Sequence, residues 1–439
     1  MSIRNIVRIF KTTSVPGYLL AGLLFLTLSL FVFSYGTGFF FKKLTFESYA
    51  DEIIKKCNSL DKSYVSQRCY DVEIPKLMPR ISMEDAFEVI KIIQSKDDTY
   101  WACHEAGHDL SAKEYYKDTD NWNEVMTRCP VGMCSNGCLH GTIQEHFSSE
   151  ALNGVQLDEL MPDLSYLCEK RSNWDPTPQQ QSSCYHEIGH LSIYITGADL
   201  NRSAKICEEM GIRTDGRNYL QTCYEGIFMQ IFQPREIDDF ALIYNFVPEK
   251  EKLSDCEQYA GDGFKKGACW KIGWKGNVAG FCGQFKSDFG NACFREAWVI
   301  DDEKLVTAQG MTDFCRYAGD SVEERKCYNK IFYGLMDTIE FNETKMIKIC
   351  IDMPEGIKSH CFADTAARMM ETDKQLIERA IKLCDLAETL YTGDECYNKL
   401  IYSGSRIIHA YTEEFNSFCR KFSSQWKLKC LDQASGRGN

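Results

Sequence analysis

The chain is 439 residues long, 44% hydrophobic, and carries a net charge of -13 with 22 cysteines. That length and apolar content support a large core or an elongated array. The acidic balance, with no basic cluster, excludes a nucleic-acid partner.

The first 43 residues hold five basic residues, Arg4, Arg8, Lys11, Lys42 and Lys43, and no acid. Taking those five from the net -13 leaves the remainder at -18. No charge occurs between Lys11 and Lys42, and Tyr18 to Phe41 is a run of 24 mostly apolar, aromatic or small residues. Roughly 20 such residues span a bilayer as a helix, so 18–41 is predicted to be an uncleaved signal anchor behind a cytoplasmic stub at 1–17. The alternative is a signal peptide cleaved near Gly36 to Gly38. Twenty-two cysteines, an even number, place the body outside the cytosol as a disulfide framework, at a cell surface, in a periplasm or in a lumen.

From residue 44 onward the cysteines fall in pairs. Cys57/Cys69 marks an N-terminal cap within a linker at 44–80. Eight later pairs are 168/184, 207/223, 256/269, 282/293, 315/327, 350/361, 384/396 and 419/430. The second member is nearly always followed by an aromatic, and late in the chain it recurs every 34 or 35 residues, at 293, 327, 361, 396 and 430. A fixed period of that length means stacked supersecondary units. Each unit reads as a helical hairpin. Cys315 and Cys327 flank a turn at Gly319, and Ser321-Val322-Glu323-Glu324 reads as a capping box that opens the second helix. Cys129/Cys138 fits the same spacing, and Cys103/Cys134 pair by elimination. Cys134-Ser135-Asn136-Gly137-Cys138-Leu139-His140 has a zinc-knuckle look, but the oxidising compartment favours disulfides. The fold class is therefore all-α: a disulfide-stapled α-solenoid of roughly nine hairpins. His-rich units cover 81–232, an insertion covers 233–254, regular Cys-pair units cover 255–434, and 435–439 is a tail.

Six of the 8 histidines lie between residues 104 and 190. Four of them form two HExGH motifs, His104-Glu105-Ala106-Gly107-His108 and His186-Glu187-Ile188-Gly189-His190. Histidines at i and i+4 share a helix face and can hold one metal ion. Aligned on their cysteines, successive second helices place His140, His186 and Glu225 at one position. Gly107 and Gly189, with Gly141 and Gly226 beside His140 and Glu225, are small residues that allow a close approach to the backbone. The expected metal ligands are His104, His108, His140, His186, His190 and Glu225. Because packed neighbouring helices lie about 8 to 10 Å apart, the set is expected to form a two-ion groove with His140 central and Glu225 at the far end. The other readings of these histidines are a non-metal polar groove and structural hydrogen bonding between helices. His146 lies on another helix face, and His360 and His409 are isolated.

The two HExxH stretches resemble the zincin metalloprotease motif. That resemblance implies zinc on the histidines, with Glu105 and Glu187 as general bases activating a metal-bound water. Paired His-Glu dipeptides in helical repeats are also similar to deoxyhypusine hydroxylase, a di-iron repeat protein, in which the glutamates would be ligands. The reading reached is a membrane-anchored, extracytoplasmic helical-repeat protein with a Zn site (or Fe or Cu) and metal-dependent hydrolase chemistry. Its alternatives are a binding scaffold whose solenoid surface takes a protein, peptide or glycan, and a metal-delivery protein.

Overall fold

The computed structural model describes residues 45–434 with short breaks, the longest over 234–241, 247–252 and 270–276. The stub, the anchor at 18–41 and the tail at 435–439 lie outside the described residues, as does most of the 233–254 insertion. No described helix is long and apolar enough to cross a membrane. The described residues are helical, with two isolated β-bridges and no strand.

The chain opens with α1 (residues 45–57), α2 (Ser63–Glu73) and α3 (Met83–Lys96). The His-rich part follows as α4 (His104–Tyr115), α5 (Trp122–Arg128), α6 (Gly137–Phe147), α7 (Gly154–Leu167), α8 (Pro178–Ile195), α9 (Leu200–Gly211) and α10 (Leu220–Phe232). The later hairpins are built from α11 (Gly263–Cys269), α12 (Val278–Cys282), α13 (Ser287–Glu296), α14 (Ala308–Cys315), α15 (Ser321–Thr338), α16 (Glu343–Asp352) and α17 (Glu355–Thr372). Helices α18 (Ile377–Leu390), α19 (Asp394–Ile407), α20 (Glu413–Arg420) and α21 (Ser424–Ala434) complete the array.

All eleven expected disulfides are present, and no cysteine is left free. Ten staple the two arms of a local hairpin. Cys103–Cys134 instead ties the start of α4 to the loop before α6. A bridge closing a short loop contributes about 3 kcal/mol by limiting the unfolded chain.

The aromatic after the second cysteine has a packing reason. Tyr185, Tyr224, Phe294, Tyr328, Phe362 and Tyr397 are all buried. Where it is a tyrosine, its hydroxyl usually reaches a polar group just after the first cysteine. Tyr70 bonds Asn58 at 3.1 Å, Tyr185 bonds Glu169 at 2.6 Å, Tyr224 bonds Glu208 at 3.3 Å, and Tyr397 bonds Asp385. Each such hairpin is therefore clamped twice, once covalently and once by a hydrogen bond from an otherwise apolar ring. Where phenylalanine stands instead, at 294 and 362, the first cysteine is followed by Gly283 or Ile351, which accept nothing.

One local expectation needs correction. Ser321 does not open α15 with a capping box. Asp320 does so, its Oδ1 accepting the backbone N–H of Val322 and of Glu323, both at 2.9 Å. A carboxylate beside the positive helix start is the stronger cap. The helix-terminating role of Gly319 lies outside the described residues.

The array curves until its later helices touch its earlier ones. Lys374 N–H donates to the Gly132 carbonyl at 2.8 Å, and Ser135 Oγ reaches the Thr372 carbonyl at 3.5 Å. His409 Nε2 meets the Asp175 carbonyl at 2.8 Å. The second helices of the hairpins face inward, so α4, α6, α8, α10, α13, α15 and α17 all contribute to one central cavity of about 630 Å³.

Candidate metal centre

The two HExGH helices are each seated against the next inner helix by glycine. A Cβ on Gly189 would lie 2.0 Å from the Cys223 carbonyl oxygen, and one on Gly226 would lie 2.0 Å from the His186 carbonyl oxygen. In the first pair, a Cβ on Gly137 would lie 2.2 Å from the His104 carbonyl oxygen, and one on Gly107 would lie 2.9 Å from Cys138 N. The motif glycines thus allow the close backbone approach expected of them, and what approaches is a neighbouring helix. The gain from that close crossing offsets the roughly 1 kcal/mol by which a helix prefers alanine.

This crossing brings α6 onto α4 and sets the first cluster. His104 and His108, one turn apart, place their Nε2 atoms 3.1 Å from each other. At that distance two ring nitrogens share one hydrogen or one cation. His140 from α6 completes the group, and the three imidazole ligand atoms all lie within 4.8 Å of one another. His140 is buried, and its ring is 5.1 Å from that of His104 and 5.9 Å from that of His108.

The outer ring nitrogens are held. His104 Nδ1 donates to the Cys134 carbonyl at 3.1 Å, which leaves Nε2 with its lone pair toward the cavity. His140 Nδ1 lies 3.5 Å from a carboxylate oxygen of Glu187, itself buried on α8. A carboxylate or carbonyl behind an imidazole is the usual support for a metal-ligating histidine.

The Cys134 carbonyl is aimed by a left-handed turn. Cys134, Ser135 and Asn136 have φ of 50°, 47° and 61°. Three successive non-glycine residues there cost about 1–3 kcal/mol each, least for asparagine. The turn is held by the Cys103–Cys134 bridge, by the Asn136 amide donating to Ser183 Oγ at 2.8 Å, and by the closing contact at Thr372. Asp373 adds a carboxylate near Cys103 and Cys134. Disulfide sulfurs are not thiolates, so these three do not form a ligand set.

The second HExGH pair is arranged alike. His186 Nδ1 donates to the Thr222 carbonyl at 3.2 Å, and its Nε2 lies 3.3 Å from Met229 Sδ. His190 Nδ1 lies 2.7 Å from Gln230 Oε1, the amide being oriented by its Nε2 donating to Tyr194 Oη. Burial holds His186 below the ordinary imidazole range, against the pull of the Glu225 carboxylate. The His186 ring lies 6.4 Å from His140, so His140 does stand between the two pairs. Glu225 lines the cavity but accepts an ion pair from Arg295 at 2.6 Å and a hydrogen bond from Gln221.

Glu105 also lines the cavity; burial raises the nearby Asp71 and Asp109 carboxyls, and the Glu105 charge adds to it. Later helices bring basic, acidic and aromatic side chains to the same cavity. Lys330 and Tyr333 come from α15 and Arg368 from α17, the guanidinium stacked 4.5 Å over the Tyr333 ring. Glu296 is buried beside Lys330; burial, with the Glu225 charge, pushes its carboxyl up to about 7 against the pull of Lys330 and Arg295. Sequence reasoning named none of Met229, Gln230, Glu296, Lys330 or Arg368. For Met229 a signal existed: it follows Gly226 by three residues, as His140 follows Gly137. Of the remaining histidines, His146 stacks on Trp122 at 4.4 Å, His360 pairs with Glu395, and His409 serves the ring closure.

Comparison of the chain with protein-family models, with curated proteins and with solved structures finds no match.

Proposed function

We propose that this chain is a metalloprotein whose primary centre is the His104/His108/His140 tripod, and that it carries out metal-dependent hydrolysis in the central cavity. The observation that carries this reading is the convergence of three imidazoles from two helices within 4.8 Å, two of them backed by a carbonyl or a carboxylate. Three histidines with an open side toward a cavity are the ligand set of catalytic zinc rather than of closed structural zinc. Zinc in such a set lowers the pKa of bound water and polarises a substrate oxygen. In this reading Glu105, lining the cavity on the tripod helix, takes the proton from the water. Glu187 orients His140. Lys330 and Arg368, which line the same cavity, receive the charge of the substrate. The disulfide framework supports an extracytoplasmic body, and the apolar 18–41 segment its anchoring to a membrane.

Elemental analysis of the gently purified chain tests the reading. About one equivalent of zinc or of another transition metal is expected, falling by most of that amount in His140→Ala. Less than one equivalent in the unaltered chain overturns the metal centre. Stoichiometric metal with no turnover on ester, peptide or phosphoester libraries leaves a metal-delivery protein as the function.

A further inference from the structure

The two HExGH helices cross their neighbours at equivalent glycines, Gly137 for α4 and Gly226 for α8, whose added Cβ atoms would meet the carbonyl oxygens of His104 and His186 respectively. Counting from these crossings gives a register that the cysteines do not. Three residues beyond Gly137 is His140, and three beyond Gly226 is Met229. The structure agrees, because His140 faces the His104/His108 pair while Met229 Sδ lies 3.3 Å from His186 Nε2. Met229 thus occupies in the second hairpin pair the place that His140 occupies in the first.

The contact needs explaining. The Nδ1 of His186 must carry its hydrogen to bond the Thr222 carbonyl, so the neutral ring presents a lone pair from Nε2. The thioether sulfur also presents lone pairs. Two acceptors 3.3 Å apart are brought together to good effect by a cation between them. His190 stands one turn along the same helix face, its ring 4.8 Å from that of His186, matching the 4.7 Å of the first pair. Its Nδ1 donates to Gln230 Oε1, which puts the lone pair of the neutral His190 ring on Nε2.

We propose that His186, His190 and Met229 form a second metal site, separate from the tripod, that selects a soft monovalent ion, copper(I). Its geometry rests on the tripod reading through the equivalence of the two crossings, but its chemistry differs by one atom. Replacing a third imidazole with a thioether turns a borderline site into a soft one, because thioether sulfur favours copper(I) over zinc(II). Glu225, which sequence alignment put in the ligand set, is instead paired with Arg295, which offsets its charge. A neutral N2S set suits a singly charged ion.

The test titrates the full chain, disulfides intact, with copper(I) supplied anaerobically as its acetonitrile complex and with bicinchoninate as competitor. The unaltered chain is expected to withdraw one copper(I). Met229→Leu should weaken that binding at least about tenfold while leaving zinc(II) bound at the tripod. Met229→His rebuilds the three-imidazole set and should exchange the copper(I) preference for a second equivalent of zinc(II). Copper(I) binding by Met229→Leu equal to the unaltered chain overturns the proposal. Should Met229→Leu fail to fold, a folded Met229→His without a second zinc overturns it. His140→Ala separates the two readings. It should lose zinc and keep copper(I). Zinc retained there sinks the tripod alone, and copper(I) lost there sinks the separate soft site.

Discussion

The contact between His140 and Glu187 links the two HExGH units side chain to side chain. Sequence reasoning made Glu187 a general base because the HExxH spacing puts a carboxylate beside its own two histidines. In the folded chain that carboxylate is buried and lies 3.5 Å from the Nδ1 of a histidine on the neighbouring helix. Its charge therefore favours a hydrogen on Nδ1 and a lone pair on Nε2, the state a ligand needs. Glu187→Gln keeps the shape and removes the charge. Zinc affinity, measured by competition with a chromophoric chelator, should fall about 10- to 100-fold with the fold unchanged. An unaltered affinity would return Glu187 to the role of a core residue. The histidine cluster was legible because its residues are rare and closely spaced. Its internal roles were not, because a helix of four residues' spacing does not say which neighbour a side chain meets.

At the scale of helices, glycine decides what the site can be. The crossings of α4 with α6 and of α8 with α10 are so close that no side chain fits between the backbones. Gly226→Ala would put a methyl group 2.0 Å from the His186 carbonyl, so the helices must separate. Overpacking of this kind costs about 1–3 kcal/mol, and the same shift moves Met229 away from His186. Gly154, the first residue of α7, has nothing within 4 Å of an added Cβ. Denaturant unfolding should show Gly226→Ala destabilised by that amount, and Gly154→Ala unchanged or stabilised by up to about 1 kcal/mol. Equal behaviour of the two would mean that the crossings are not tight. The glycines stood out in the sequence, and so did the tyrosine that follows many second cysteines. The sequence did not say whether a glycine admits a ligand or a helix, which depends on how the hairpins cross.

Folding of the whole array puts carboxyls into the interior. Burial pushes Asp71 and Glu296 up to about 7 and Asp373 up to about 6. For an acid whose folded pKa is raised, the folded state holds the proton more tightly than the unfolded chain does. The stabilising contribution is therefore full below the ordinary carboxyl range near 4 and is lost as pH rises through 6 to 7. With a chelator present to remove metal, the melting temperature should fall between pH 5 and pH 8, and Glu296→Gln should flatten that fall. A melting temperature that rises over this interval would contradict the burial of these groups. The same folding brings Arg368 and Glu371, more than 170 residues from the last HExGH histidine, to the wall of the cavity that holds the tripod.

The sequence by itself determined the hairpin as the unit, all eleven disulfides, the helical class and the concentration of candidate ligands in the first units. Apart from the Cys103–Cys134 bridge, which is reached by elimination, each of these follows from short-range spacing, because a staple across one turn and a pair of histidines on one helix face are fixed by helix geometry alone. Only the tertiary structure decided that the array closes on itself, that Met229 contacts His186 while Glu225 pairs with Arg295, and that basic residues of α15 and α17 line the same cavity as the histidines. Those facts depend on crossing depth and on the small rotation between units, which accumulates along the array and leaves no mark in any single repeat.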